Sequence, residues 1–227
     1  MHAKRLKLLP EMEGRTARWY ARVRGTDTQL ELYRTQAAQL THALPRGARV
    51  LEVAPGPGYL SLEIARLGFE VAGLDISHSM VDIARGNAQA AGLMVDFRHG
   101  DAARIPFEAD SFDLLVCQAA FKNFAAPAAA LDEMHRVLRS AGAAIIQDLN
   151  PEASRADIQQ EVTRMRLGRL NAIVTRLILS SVLRRRAYSA HQLERLAVAS
   201  SFGTCQIRRD GITLEVRLQK RAMQQAA

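Results

Sequence analysis

Two glycines and three acids, spread over the first half of the chain, are the groups from which a ligand site could be built. Gly56 and Gly58 lie in the stretch Glu52-Val53-Ala54-Pro55-Gly56-Pro57-Gly58. Lacking side chains, they let the backbone approach a ligand closely, and a helix opening just after them presents unpaired N–H groups to polar atoms. Asp75 follows Gly58 by seventeen positions. At roughly that distance an acid at the tip of a second strand accepts hydrogen bonds from ribose hydroxyls. The same residue also suits a cap on the helix that starts near Ser77. Asp101, in Gly100-Asp101-Ala102, either exposes a carboxylate at the same sheet edge or bonds its own backbone in a turn.

These groups need elements to hold them. Residues 49–53 form a short β-branched apolar run, a buried strand, and the Pro/Gly turn leads into a helical pattern over 61–67. Further strands are expected at 70–74, 94–99, 114–117 and 143–149, with helices at 77–89 and 128–138 between them. His78 is then a solvated helix-start residue. Ligands of open α/β sheets bind outside the carboxyl ends of strands, which turns Gln118 toward the pocket and puts Asp148 within reach of a substrate. Asn123 can orient a substrate oxygen, and Lys122 is expected at the surface. Near the end, 204–209 and 212–219 alternate as strands around Asp210-Gly211, a signal for a tight antiparallel hairpin. Ser189 and Gln192 have the spacing of a capping box.

Two cofactor classes use a strand, a glycine turn and a distal acid: nicotinamide dinucleotides and S-adenosyl-L-methionine. The dinucleotide fingerprint requires a third glycine where this chain has Ser61, and it leaves Glu52 without a role. A dinucleotide sheet also returns to a parallel strand through a helix, whereas this chain ends in a hairpin.

Over residues 47–150 the chain resembles the class I S-adenosylmethionine-dependent methyltransferases, and within them the small-molecule branch that includes the quinone C-methyltransferases. The first motif, 52–58, matches the family's Glu-x-Gly-x-Gly-x-Gly with Ala54 in place of the first glycine. Pro106-Phe107, Ser111-Phe112-Asp113 and the run 133–139 match later motifs, and Ser140-Ala141-Gly142 stands where Lys-Pro-Gly-Gly is usual. The resemblance implies S-adenosyl-L-methionine as cofactor, held by Glu52, Ala54, Gly56, Gly58 and Asp75. It further implies Ile76 against one adenine face, Asp101 accepting from the adenine amino group, Ala102 as the neighbouring apolar wall and Gln118 facing the pocket. Lys122-Asn123-Phe124 occupies a place where many relatives carry histidines, so no histidine base is inherited and no catalytic residue is assigned.

The implied fold is α/β: a Rossmann-like, seven-stranded, mostly parallel sheet with an antiparallel C-terminal hairpin, helices on both faces and a helical lid inserted after strand five. The expected organisation is one domain over 1–227. It comprises a helical cap (1–46), the cofactor-binding core (47–150), a substrate cover (151–187), and a last helix with the hairpin (188–227). The cap is expected to be largely helical over 12–41, with Trp19, Tyr20, Val23, Leu30, Leu32 and Tyr33 on an apolar face and breaks at Gly14 and Gly25. Residues 19–25 combine two aromatics and two arginines before a glycine, which suits a lid or plain packing. Tyr20 and Arg24 are its candidate substrate contacts, beside Asn123 and Asp148.

Composition narrows the function. With 227 residues and 48% hydrophobic content, the chain fills one sizeable core. Two cysteines, Cys117 and Cys205, cannot form a metal cluster and are expected as reduced, buried thiols in a cytoplasmic protein. No metal site is expected. The longest apolar run, 173–183, is too short to span a bilayer and contains Arg176. The formal charge of +8 invites a nucleic-acid reading, but the charges are scattered and aromatics are 5% of the chain. Residues 151–187 carry eight arginines against three acids, a face suited to an anionic substrate, to a membrane surface bearing a lipid-like one, or simply to solvent. The leading expectation is methyl transfer to an O, N or C nucleophile of a small molecule by in-line displacement. A nucleic-acid methyltransferase and a cofactor-binding protein without transfer activity are the alternatives, and the oligomeric state is left open, a homodimer included.

Overall fold

The computed structural model describes residues 11–164 and 187–222. Its strands are β1 (Arg49–Val53), β2 (Glu70–Asp75), β3 (Asp96–His99), β4 (Phe112–Gln118), β5 (Leu138–Leu149), β6 (Gln206–Asp210) and β7 (Thr213–Gln219). They form one sheet in the order β3-β2-β1-β4-β5-β7-β6. The first five run parallel, and β7 is antiparallel to both β5 and β6. The strand order reverses between β1 and β4, so the crevice for a ligand opens at the carboxyl ends of these two.

Alternation along the central strands explains the two helical layers. Val50, Val71, Leu114, Val116, Ala143 and Ile145 cluster with Tyr33, Ala37, Leu60 and Ile64. Those partners belong to α2 (Asp27–Thr41) and α3 (Tyr59–Arg66). The opposite set, including Leu51, Leu115, Cys117, Ala144 and Ile146, packs with α5 (Pro127–Val137) and α7 (Ala190–Ala199). α4 (His78–Ala91) joins α3 over Phe97 of β3. α1 (Gly14–Arg24) precedes α2, and α6 (Arg155–Arg164) buries Ile158 and Val162 against Leu149 and Ile212.

Local expectations hold with shifted edges. Pro127 stands in the first turn of α5, where its missing N–H is harmless. The Ser189–Gln192 capping box is formed on α7. Gly25 separates α1 from α2, but Gly14 begins α1 instead of breaking it. Asp210 pairs with Thr213, so the hairpin turns on Gly211-Ile212, one residue later than expected. β5 starts at Leu138, directly after α5, and Ala141 takes a left-handed φ of 63° inside it. At this irregularity Lys220 N donates to Gly142 O and Ala141 N donates to Lys220 O. The expected apolar face of 12–41 is corrected: Trp19, Val23 and Leu32 are exposed, while Ala17, Ala21, Tyr33 and Ala37 are buried. The expected second helix of the insertion, at 170–183, lies outside the described residues, as do Arg166, Arg169, Arg176 and Arg184 to Arg186.

Gly58 is packed against protein on its Cβ side. Its φ of 80° is left-handed, and a Cβ placed there would stand 2.7 Å from Cζ of Phe97. A Cβ at Gly73 would stand 2.5 Å from the same ring. Phe97 is therefore seated between two glycines and holds the glycine turn on β2 and β3. Gly58→Ala should cost about 3 kcal/mol, combining left-handed strain and overpacking. Gly68→Ala, also left-handed at 89° but facing open space, should cost about 1 kcal/mol; urea unfolding of the two variants measures the difference.

Candidate functional site

Asp75 ends β2 and is 7% exposed. Its Oδ2 accepts the Gly56 N–H at 2.9 Å and its Oδ1 accepts the Ser77 N–H at 2.9 Å. The acid thus joins the turn after β1 to the loop before α4. The cap of α4 is Ser77, whose hydroxyl accepts from Met80 N. Burial raises the Asp75 carboxyl above its ordinary range, opposed by the Ser77 and Gly56 amides. Each oxygen keeps a further lone pair for a ligand hydroxyl.

Gly56 behaves differently from Gly58. Its φ is 54°, and a Cβ there would meet only Tyr20, 3.8 Å away. The main chain at Gly56 is bare, as expected. Ala54 also adopts the left-handed region, at 59°, so that its N–H reaches Leu74 O at 2.7 Å. A glycine would take this conformation without the strain of about 1 kcal/mol that alanine bears. Ala119, after β4, repeats the device at 55°, with its N–H on Gln147 O. Left-handed alanines therefore mark the carboxyl ends of both strands at the switch point.

Glu52, on β1, is 4% exposed and accepts a 2.5 Å hydrogen bond from Ser61 Oγ. Burial lifts its carboxyl from 4.5 to about 7, partly offset by Ser61. Ser61 itself is fully buried in the first turn of α3. Its role was missed, although the serine in place of a third glycine and the acid within the strand were the paired signal for it.

α1 spans the starts of α3 and α4. At one end Glu13 accepts from His78 N and Ser79 N at 2.9 and 3.0 Å, Gly14 N donates to Ser79 Oγ, and Ser77 Oγ donates to Met12 O. Two helices thereby cap each other, and Glu13 is held below its ordinary range by these bonds, chiefly those from Ser79. At the other end Tyr59 OH donates to Ala21 O, and a Cβ on Gly25 would collide with that hydroxyl. Tyr20 is left over Gly56. Arg24, expected to contact substrate, donates from Nε to Tyr33 OH at 2.8 Å, and its guanidinium lies 5.3 Å from that ring. Burial pushes the Tyr33 hydroxyl up to about 12.

At the far edge, Asp101 is exposed and accepts from Ala103 N at 2.9 Å, so the turn bonding is present. Ala102 is buried, and Ile76 is 39% exposed. His78 is exposed, as expected, and stacks on His99 with ring centroids 3.5 Å apart. His99 Nε2 lies 3.1 Å from Ile76 O.

The β4–β5 end holds two separate polar sets. Gln118 donates to Gln147 at 2.7 Å, and Gln147 donates to Glu215 at 2.7 Å, a chain running away from β1. On the opposite face, Lys122 and Asp148 form an ion pair at 2.8 Å with both side chains 7% exposed. Asp148 also accepts from Lys122 N and Leu149 N, and Lys122 Nζ donates to Ala119 O. One expectation is corrected here: the Lys122 side chain is buried; Asp148, expected near a substrate, pairs with it. Asn123 is exposed. Cys117 is buried beneath the pair, and burial drives its thiol well up; Cys205 is half-buried. Lys122→Met would leave a buried carboxylate uncompensated and should cost about 3 kcal/mol in urea unfolding, most of it recovered by adding Asp148→Leu.

Comparison with known proteins agrees with this architecture. Residues 51–146 match the family model described as "Methyltransferase domain". The demethylmenaquinone methyltransferase of Deinococcus radiodurans is 38% identical over 123 residues, 53% of this chain and 50% of that protein. A ubiquinone biosynthesis O-methyltransferase of Roseobacter denitrificans is 30% identical over 105 residues, 46% of this chain and 42% of that one. The chain thus spans about half the length of the curated relatives it matches. Among solved structures, a SAM-dependent methyltransferase from Aquifex aeolicus superposes with a TM-score of 0.67 at 17% identity, covering 89% of this chain and 97% of that one. A structure from Methanococcus maripaludis reaches a TM-score of 0.74 at 21% identity over 96% and 98% of the two chains. At these identities the likeness concerns the fold. Residues 51–146 are therefore similar to a methyltransferase domain, and the chain shares its fold with solved S-adenosylmethionine-dependent methyltransferases.

Proposed function

We propose that this chain transfers the methyl group of S-adenosyl-L-methionine to a small-molecule nucleophile. The observation that carries the reading is the bare main chain at Gly56, bonded to a buried acid at the neighbouring strand tip and roofed by α1. The donors fit the cofactor. Asp75 has lone pairs left for ribose hydroxyls, Asp101, Ile76 and Ala102 border the adenine end, and Gly56 admits the chain between them. Glu52, beside Ala54 at the end of β1, faces the cationic methionine end. Gly58 serves through Phe97 by shaping the turn, and Gln118 serves through Gln147 at the acceptor side.

The bound cofactor supplies a methyl group already made electrophilic by a sulfonium centre. What remains for the protein is orientation and the exclusion of water. The left-handed turns at Ala54 and Ala119 aim two backbones at the switch point, and α1 with Tyr20 closes over the first. Tyr20 and Asn123 are the acceptor contacts kept from the sequence. An oxygen or carbon nucleophile of a quinol-type ring is the acceptor class, supported by the names of the relatives. Residues 47–150 hold the cofactor, with α1 covering it.

Titration with S-adenosylhomocysteine by calorimetry tests the cofactor site, and methylated product from a panel of demethylated quinols tests the acceptor class. Binding is expected; its absence would end the reading. Glu52 must ionise to pair with an ammonium group, so affinity should rise through pH 7, roughly tenfold from pH 6 to pH 8, and flatten in Glu52→Gln. The ligand-free protein has the opposite trend. The raised carboxyl favours the fold while protonated, and that contribution is lost as pH rises from 4.5 toward about 7. Asp75→Ala should lower cofactor affinity and also cost about 2 kcal/mol of stability, because it orphans two amide donors.

A further inference from the structure

The outer face of α1 has features that methyl transfer does not use. Taking about 100° per residue, Arg18, Arg22, Arg15, Trp19 and Val23 follow one another around roughly 140° of the helix. Trp19 is 60% exposed and Val23 48%, while Arg15, Arg18 and Arg22 are exposed and form no ion pair among the described residues. The helix contains no acid. Its opposite side is fully engaged: Ala17 and Ala21 are buried, and Tyr20 covers Gly56. An exposed indole on a rigid, doubly anchored helix, flanked by unpaired arginines, is an uncompensated surface.

We propose that this face of α1 docks on an anionic lipid surface. Arginine heads and an interfacial tryptophan suit the headgroup region, where each cation near an anionic leaflet improves partition roughly fivefold. Val23 and the half-exposed Met12 have a use at an acyl boundary and none along a phosphate backbone. A second copy of the chain would bring three arginines against three. Docking through this side sets the helix that roofs the Gly56 turn between bilayer and site. A lipid-soluble acceptor could then enter along the membrane; that consequence, unlike the docking itself, rests on the reading given under Proposed function.

Trp19 is the chain's one tryptophan, so emission from this chain reports on this helix alone. Vesicles of phosphatidylcholine and phosphatidylglycerol in equal parts should shift the emission to the blue. Brominated acyl chains should quench it, and phosphatidylcholine alone should do neither. R18E/R22E should lower the apparent vesicle affinity at least tenfold while leaving the far-ultraviolet circular dichroism and S-adenosylhomocysteine affinity unchanged. Trp19→Ala should lower it in a sedimentation assay. No shift with the anionic vesicles, an equal shift with phosphatidylcholine alone, or a shift with an RNA oligonucleotide but not with vesicles would overturn the proposal. Vesicle binding without S-adenosylhomocysteine binding would leave the docking standing and defeat the methyl-transfer reading.

Discussion

The carboxylate of Asp75 is the joint on which the candidate site depends. One oxygen holds the Gly56 amide and the other the Ser77 amide, so two loops from different strands are fixed to a single buried group. A buried carboxylate without such donors would be costly, and buried amides without an acceptor equally so. Each therefore requires the other. From this joint the order spreads outward: Ser77 caps α4 and binds Met12 O, and Glu13 caps the same helix from α1. Holding the roof over the site is thus a consequence of satisfying one strand tip.

Glycine is used for opposite purposes within three residues. At Gly58 the missing side chain makes room for Phe97, a packing demand from β3. At Gly56 it leaves the main chain open. The same local motif therefore contains one packing position and one open position. Ala54 bears a strained conformation where a glycine would not, because the backbone bond to Leu74 sets the turn regardless of the side chain. Glu52 and Ser61 form a second buried acid–donor pair next to the first, so two carboxyls with raised affinity for protons stand at adjacent strand ends.

The β4–β5 end is built around a different constraint. Its two polar sets lie on opposite faces of β4 and β5, one a neutral amide chain ending on Glu215, the other a buried ion pair. The pair is satisfied by three further backbone contacts, which makes it tolerable in the interior. Lys122 and Asp148 consequently order the short turn after β4.

By itself the sequence determined the parallel sheet, its terminal hairpin and the order of glycines and acids along the strand tips. Apolar alternation, helical spacing and turn residues are local properties, readable over a few positions. Asp75 at the tip of β2, the open Gly56 turn after β1 and the buried Ala102 after β3 follow from such local signals. Only the tertiary structure decided which polar groups were already spoken for. Arg24 was committed to Tyr33, Asp148 to Lys122, Gly58 to Phe97 and Glu13 to Ser79, partners as far as 66 positions apart. Periodicity tells which side of an element is buried but not what it meets there, and a side chain's chemistry is spent on its neighbours in space.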